Sequence, residues 1–277
     1  MGYTTLARWI NTNGAGLDML REGILKNHLG TLKGKWQLII KSYRSTLTSA
    51  VGFGPNYERA MWTMTMPVND VSFVLIEDPV VASRAEHAAR GDAGPTDENP
   101  PHYRNSLITM SPSAALDQLL AQTSAPWTRA AQPTIAIEGG VFTIGTDWVV
   151  RAGNVVIPGG TVKGLLLEAE YLPLPTRPSD PSQTPELFSN LLTSLLPAVP
   201  DAKTVAVAVS DQEWNEVLCP EVDVGDEFSV ETEPSLEEDD IYAYGFPKPK
   251  PGDWTGLDRD RRSAFMLHAV LRSEGIL

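Results

Sequence analysis

The feature that most constrains this chain is the stretch from Thr134 to Tyr171. It reads TIAIEGGVFTIG, then TDWVVRAGNVVIP, then GGTVKGLLLEAEYLP. Each piece alternates or runs apolar for a few residues, is rich in β-branched side chains, and is punctuated by glycine or proline. That pattern predicts three or four antiparallel strands joined by tight turns. The expected breaks are Gly139-Gly140, Gly153-Asn154 and Pro158-Gly159-Gly160. Side chains alternate along a strand, so Trp148 shares a face with Val150, and Val155 with Ile157. In the last strand Leu165, Leu167 and Ala169 face one way, while Leu166, Glu168 and Glu170 face the other. The meander is a scaffold and carries no chemistry by itself.

Around it the chain alternates short strands and helices. Strands are predicted near Met1 to Ile10, Trp36 to Tyr43, Arg59 to Met66, Val71 to Glu77, Ser106 to Met110 and Thr204 to Val209. Apolar residues at helical spacing predict helices near Leu17 to Leu29, Ala82 to Ala89, Ala114 to Gln122, Glu186 to Leu196 and Gly256 to Leu277. In the third of these Leu116, Leu119 and Leu120 are expected inward. Gly91 to Pro101 reads as a mobile loop, and Leu172 to Pro185, with five prolines, as a stiff connector. The fold class expected is α+β: an antiparallel β-barrel or curved sheet flanked by a few α-helices, in one domain over 1–277.

Charge is concentrated in one place. The chain carries 35 acids against 22 bases, and thirteen of the acids fall between Asp211 and Asp240, where there is no Lys or Arg. Elsewhere the two signs balance. Direct nucleic-acid binding, which needs clustered Lys and Arg against phosphates, is not expected. No apolar run is long enough for a membrane helix, and the first residues lack a signal-peptide core. One cysteine, Cys219, allows no internal disulfide. A reducing compartment, cytosol or nucleus, is the expectation.

The search for chemistry finds no catalytic constellation. His28, His87, His102 and His268 are not at metal-ligand spacing, and no H-E-x-x-H occurs. His28 and His268 read as half-exposed helix residues. Gly159-Gly160-Thr-Val-Lys163-Gly164 lies between two strands and reads as a hairpin turn rather than a phosphate loop. Cys219 sits among Glu213, Glu216 and Glu221, which disfavour a thiolate. Trp36, Trp62, Trp127 and Trp148 could line a cavity inside a barrel, which gives an alternative reading as an intracellular β-barrel that binds an apolar ligand. A hydrolase with an unrecognised site is a third. No catalytic, cofactor-binding or metal-binding residue is assigned.

Several pieces together carry a family resemblance: Met1-Gly2-Tyr3-Thr4, SFVLIED at Ser72 to Asp78, the Thr146 to Tyr171 meander, and ELFSNLLTSLL after it. Asp240-Ile241-Tyr242 and the terminal helix add a looser match. In this order they resemble Mediator complex subunit 20, the TBP-related-factor-like family, of fungal type. Gly91 to Pro101 and Asp211 to Glu238 look like expansions within it. The resemblance implies a β-barrel flanked by helices and a non-enzymatic nuclear subunit of the Mediator head module, a coactivator for RNA polymerase II. It implies pairing with subunit 18, to which subunit 8 is tethered, contact with other head subunits, and indirect communication with the TATA-binding protein and RNA polymerase II. It implies no cofactor. Trp62, Met64, Trp148 and Val150 are expected on exposed strand faces as anchors of the protein interface, since lasting interfaces centre on apolar and aromatic residues.

Overall fold

The computed structural model describes residues 3–46, 58–90, 102–123, 127–173, 184–196, 204–207, 217 and 256–277. The expected loop at 91–101, most of the proline-rich connector, Cys219 and the acidic segment apart from Val217 lie outside the described residues.

One antiparallel sheet organises the chain. Its strands are β1 (Tyr3–Trp9), β2 (Thr31–Ser45), β3 (Ala60–Met66), β4 (Val71–Glu77), β5 (Asn105–Met110), β6 (Trp127–Arg129), β7 (Ile135–Ile144), β8 (Trp148–Ile157), β9 (Thr161–Tyr171) and β10 (Thr204–Val207). The helices are α1 (Ala15–Lys26), α2 (Arg84–Arg90), α3 (Ala115–Thr123), α4 (Thr184–Leu195) and α5 (Gly256–Ser273). The order across the sheet is β10-β1-β9-β8-β7-β2-β3-β4-β5, with β6 pairing β2 off this path. Among the described residues the path does not close, so the architecture is a curved open sheet with flanking helices.

The predicted meander is present as β7, β8 and β9, but two expected breaks are strand interior. Gly139 pairs with Gly153 in the middle of the β7–β8 ladder. A Cβ on Gly139 would stand 1.8 Å from the carbonyl oxygen of Ala152, so glycine serves close backbone approach there and makes no turn. The reversals fall at Gly145 and at Gly159-Gly160, all with φ between 58° and 91°, where glycine adopts left-handed backbone without strain. Strand β2 is also longer than expected. A register shift falls between Leu32 and Gly34, and pairing continues to Thr31.

The alternation in β9 holds, and both its faces are covered. Leu165, Leu167 and Ala169 join Val150, Phe142, Leu20, Ile24, Phe188 and Leu192 in a cluster between the sheet and helices α1 and α4. Leu166 faces the opposite cluster, with Leu6, Trp36, Ile40, Met64 and Phe73 of the sheet and Phe265, Leu267, Val270 and Leu271 of α5. A third cluster seats α3 on Met61 and Val74 through Leu116. Leu119, expected inward, is 49% exposed because it falls off the face that Leu116 and Leu120 share.

Helix α5 defines the inner face. Its residues Ser263 to His268 are buried without a break, so the helix is enclosed on all sides over that stretch. Just beyond its end Glu274 pairs with Arg8 of β1, while Arg272 pairs with Glu77 of β4 at 2.9 Å. Strands β1 and β4 are six places apart in the sheet, about 29 Å if it were flat. Two residues of one helix end reach both, so the sheet is rolled around α5.

Candidate functional site

The residues proposed as interface anchors fall on both faces of the sheet, inside the chain. Trp62 and Met64 point at α5, 8% and 0% exposed. Val150, 0% exposed, lies in the cluster under α1 and α4. Trp148 is half-buried, its ring 4.6 Å from that of Tyr171 and 5.2 Å from that of Phe188, edge to face. The expectation of exposed strand faces is therefore corrected. Helices of the same chain cover both faces, and these side chains fasten α4 and α5 to the sheet. The four tryptophans likewise share no cavity wall: Trp36 and Trp62 are inner core, Trp148 is outer core and Trp127 packs by the third cluster. The inner face, where an apolar ligand was considered, holds Leu267, Val270 and Leu271 of α5.

A charged cluster joins the sheet to that helix. On β8 and β9, Arg151 donates to Glu168 at 2.5 Å and to Glu170 at 2.8 Å, all three being 7% exposed or less. Arg259 of α5 donates to Glu170 at 3.2 Å, and Ser263 Oγ donates to Glu168. Burial alone would push the Arg151 guanidinium down, but the charges and hydrogen bonds of Glu168 and Glu170 outweigh it and hold it above its ordinary value. Asp260 is pushed up by burial, against a hydrogen bond from Asn69 and the Arg151 charge. These groups are mutually satisfied, and they position α5 without offering an unoccupied nucleophile or base. The acid face of β9, read in sequence as the polar side, is thus internal.

Two further features surround α5. His268, expected half-exposed, is 2% exposed and packs edge to face on Trp62 at 4.9 Å. Burial, and after it the neighbouring Arg272 charge, push it down to about 3, so the imidazole is neutral. Near the β4–β5 end, Asp78 forms an ion pair with Arg59 at 2.7 Å and lies 3.1 Å from His102 Nε2. Among the described residues no group of three or more His, Cys, Asp and Glu side chains is arranged to hold a metal ion. No described helix is long and apolar enough to cross a membrane.

The open surface lies elsewhere. Between α1 and the exposed start of β2 runs a groove of about 650 Å³ whose apolar wall includes Leu17, Leu32, Phe142 and Val156. Arg21, Lys33 and Lys35 line it against Asp18 and Glu138. Leu29, 82% exposed, and Met19, 44% exposed, stand on the neighbouring chain segments. Sequence reasoning passed over this groove because Thr31 to Lys35 reads as polar and glycine-interrupted rather than as strand.

Two solved structures give partial overlaps. The PH1819 protein from Pyrococcus horikoshii OT3 is 9% identical, with 70% of this chain and 88% of that one covered at a TM-score of 0.32. A Hippeastrum protein, HpAC1, described as a putative adenylyl cyclase with a dominant triphosphatase activity, is 8% identical, with 77% and 94% covered at a TM-score of 0.41. Neither likeness is close enough to bear on this chain. No curated protein matches the sequence. A family profile does: residues 1–223 match the TATA-binding related factor (TRF) of subunit 20 of Mediator complex. That match spans the sheet from β1 to β10 and helices α1 to α4, and so the chain belongs to the Mediator subunit 20 family.

Proposed function

We propose that the chain is a non-enzymatic subunit of the Mediator head module, a nuclear coactivator in RNA polymerase II transcription that acts as a protein scaffold. Family membership over residues 1–223 carries this reading. The chain acts as one domain, its first strand and its last turn meeting at the Arg8–Glu274 pair. Its partner is subunit 18, with subunit 8 joining through that subunit and the TATA-binding protein and RNA polymerase II reached indirectly.

The groove beside α1 is the surface for subunit 18. The four residues first considered as anchors are committed to the chain's own core, whereas Leu32 is 48% exposed beside a half-open apolar wall. Apolar residues at the centre with charges at the rim is the anatomy of a protein interface. The bases Arg21, Lys33 and Lys35 outnumber the acids Asp18 and Glu138, so the partner surface carries an acidic rim. The test is a pull-down with subunit 18 using Leu32→Asp and a Lys33→Glu/Lys35→Glu double variant, both at exposed positions. Both variants should fold and lose most of the bound partner, the charge variant in a salt-dependent way. Undiminished capture by both would remove the groove from the interface.

A further inference from the structure

Strand β2 is paired along only part of one side. On the β7 side its ladder runs from Thr31 to Ile40, and β6 continues it from Tyr43 to Ser45. On the β3 side the ladder covers only Ile39 to Arg44. Thr31 to Leu38 therefore present a free edge within the sheet, beginning where β3 stops. Strand β3 cannot follow further. The residue that would face Gln37 in this register is Pro67, which has no N–H, and the Met66 and Pro67 carbonyls accept from Asn69 and Asp70 in the turn.

The direction of the backbone groups on this edge is fixed. The Ser42 carbonyl accepts from the Ala130 amide, next to β6, so it points away from β3. Backbone groups alternate along a strand, so those of Trp36 point the same way, at β7, and those of Lys35 and Gln37 point to the open side. The β3 ladder ends at Ile39, and among the described residues no turn or loop bonds to Lys35 or Gln37. Thr31 to Lys35 are exposed, and a Cβ on Gly34 would meet nothing within 4 Å. Unpaired strand donors and acceptors in the open are a template for another strand.

We propose that an extended segment of subunit 18 adds to this edge as a further strand, an inference that rests on the assignment of the neighbouring groove to that subunit. Leu32, Lys33, Gly34 and Lys35 line the groove, so edge and groove form one surface. Lys33 and Lys35 are the only charges in Thr31 to Leu38. With Arg21, Asp18 and Glu138 counted, the groove lining holds three bases and two acids. An acidic residue opposite Lys35 makes a favourable cross-strand pair. Its neighbour in the segment falls on the other face, beside Trp36 of the inner core, and is apolar. The segment thus alternates acidic and apolar residues. A second copy of the same edge would set lysine against lysine, which disfavours it as the occupant.

The test follows amide exchange by NMR in the full chain, alone and in its co-purified complex with subunit 18. In the free chain the Lys35 and Gln37 amides should exchange fast, while the Trp36 amide, directed at β7, is slow. In the complex all three should be slow, Lys35 and Gln37 by roughly a hundredfold more than before. Lys35→Pro removes the outward donor without touching the β7 ladder, and should weaken the complex roughly tenfold at any salt concentration. Lys35→Gln keeps the donor, and its smaller loss should vanish at high salt. A complex in which Lys35 and Gln37 still exchange fast, or one indifferent to Lys35→Pro, would overturn the strand addition and leave the groove assignment standing. Failure to form any complex would overturn both. Slow exchange of these two amides in the free chain would show the edge already filled, by the chain itself if the protein is monomeric and by a second copy if it self-associates, and would equally overturn the proposal.

Discussion

Arg151 and Glu170 sit on neighbouring strands, their side chains 2.8 Å apart and almost wholly buried, and the C-terminal helix completes the pair through Arg259. A buried ion pair adds little net stability when both partners are compared with apolar residues, but removing one partner strands the others. Arg151→Met leaves Glu168 and Glu170 facing each other without the cation between them. It should cost about 3–5 kcal/mol, read as a lower urea midpoint. The triple change Arg151→Met, Glu168→Gln, Glu170→Gln should recover part of that loss. A single variant as stable as the parent would show that the cluster is not internal.

His268 gives the protein a specific acid sensitivity. Its folded-state pKa lies at about 3, below its ordinary value of 6.5. The unfolded chain therefore binds a proton that the folded chain refuses. Stability from this group is full above about pH 6.5 and falls as pH drops towards 3. His268→Phe keeps a ring beside Trp62 and removes the titration. Denaturant unfolding between pH 7 and 4 should show a shallower pH slope in the variant, by up to about one proton. An unchanged slope would mean the imidazole charges freely in the folded state.

The two glycines that look alike in sequence should behave oppositely. A Cβ on Gly139 meets the Ala152 carbonyl oxygen at 1.8 Å, and a Cβ on Gly34 meets nothing within 4 Å. Gly139→Ala should lose about 1–3 kcal/mol by forcing β7 and β8 apart. Gly34→Ala should be neutral or stabilising by up to about 1 kcal/mol through the unfolded chain. Thermal melts of the two variants separate these outcomes, and a tolerated Gly139→Ala would contradict the close approach.

Helix α5 should be as much part of the fold as the sheet. Leu267 is fully buried in it, whereas Leu119 of α3 is 49% exposed. Leu267→Ala should cost about 2–5 kcal/mol. Leu119→Ala should stay within about 0.5 kcal/mol. Equal effects on the unfolding midpoint would place α5 outside the core.

Much of the sheet was legible because period-two alternation is a local signal. Val71–Glu77 and Thr161–Tyr171 could be read residue by residue, and the family resemblance was carried by the same segments. What depended on distant partners was not legible. The burial of Glu168 and Glu170 was not legible because Arg151 and Arg259 reach them from elsewhere in the chain. Helix α5 carries Arg259, Arg261 and Arg272, which signals an exposed surface helix until their partners on the sheet are known. Trp148 and Trp62 were recognised as important apolar residues, but sequence cannot tell a partner protein's surface from a covering helix of the same chain. Gly139-Gly140 imitated a turn because close backbone approach and chain reversal select the same residue.

The most direct test of the central claim is co-expression of the full chain with subunit 18 from the same organism, followed by size exclusion with light scattering. The account predicts a stable one-to-one complex that also takes up the C-terminal part of subunit 8. A chain that elutes as a folded monomer and ignores both subunits would contradict it.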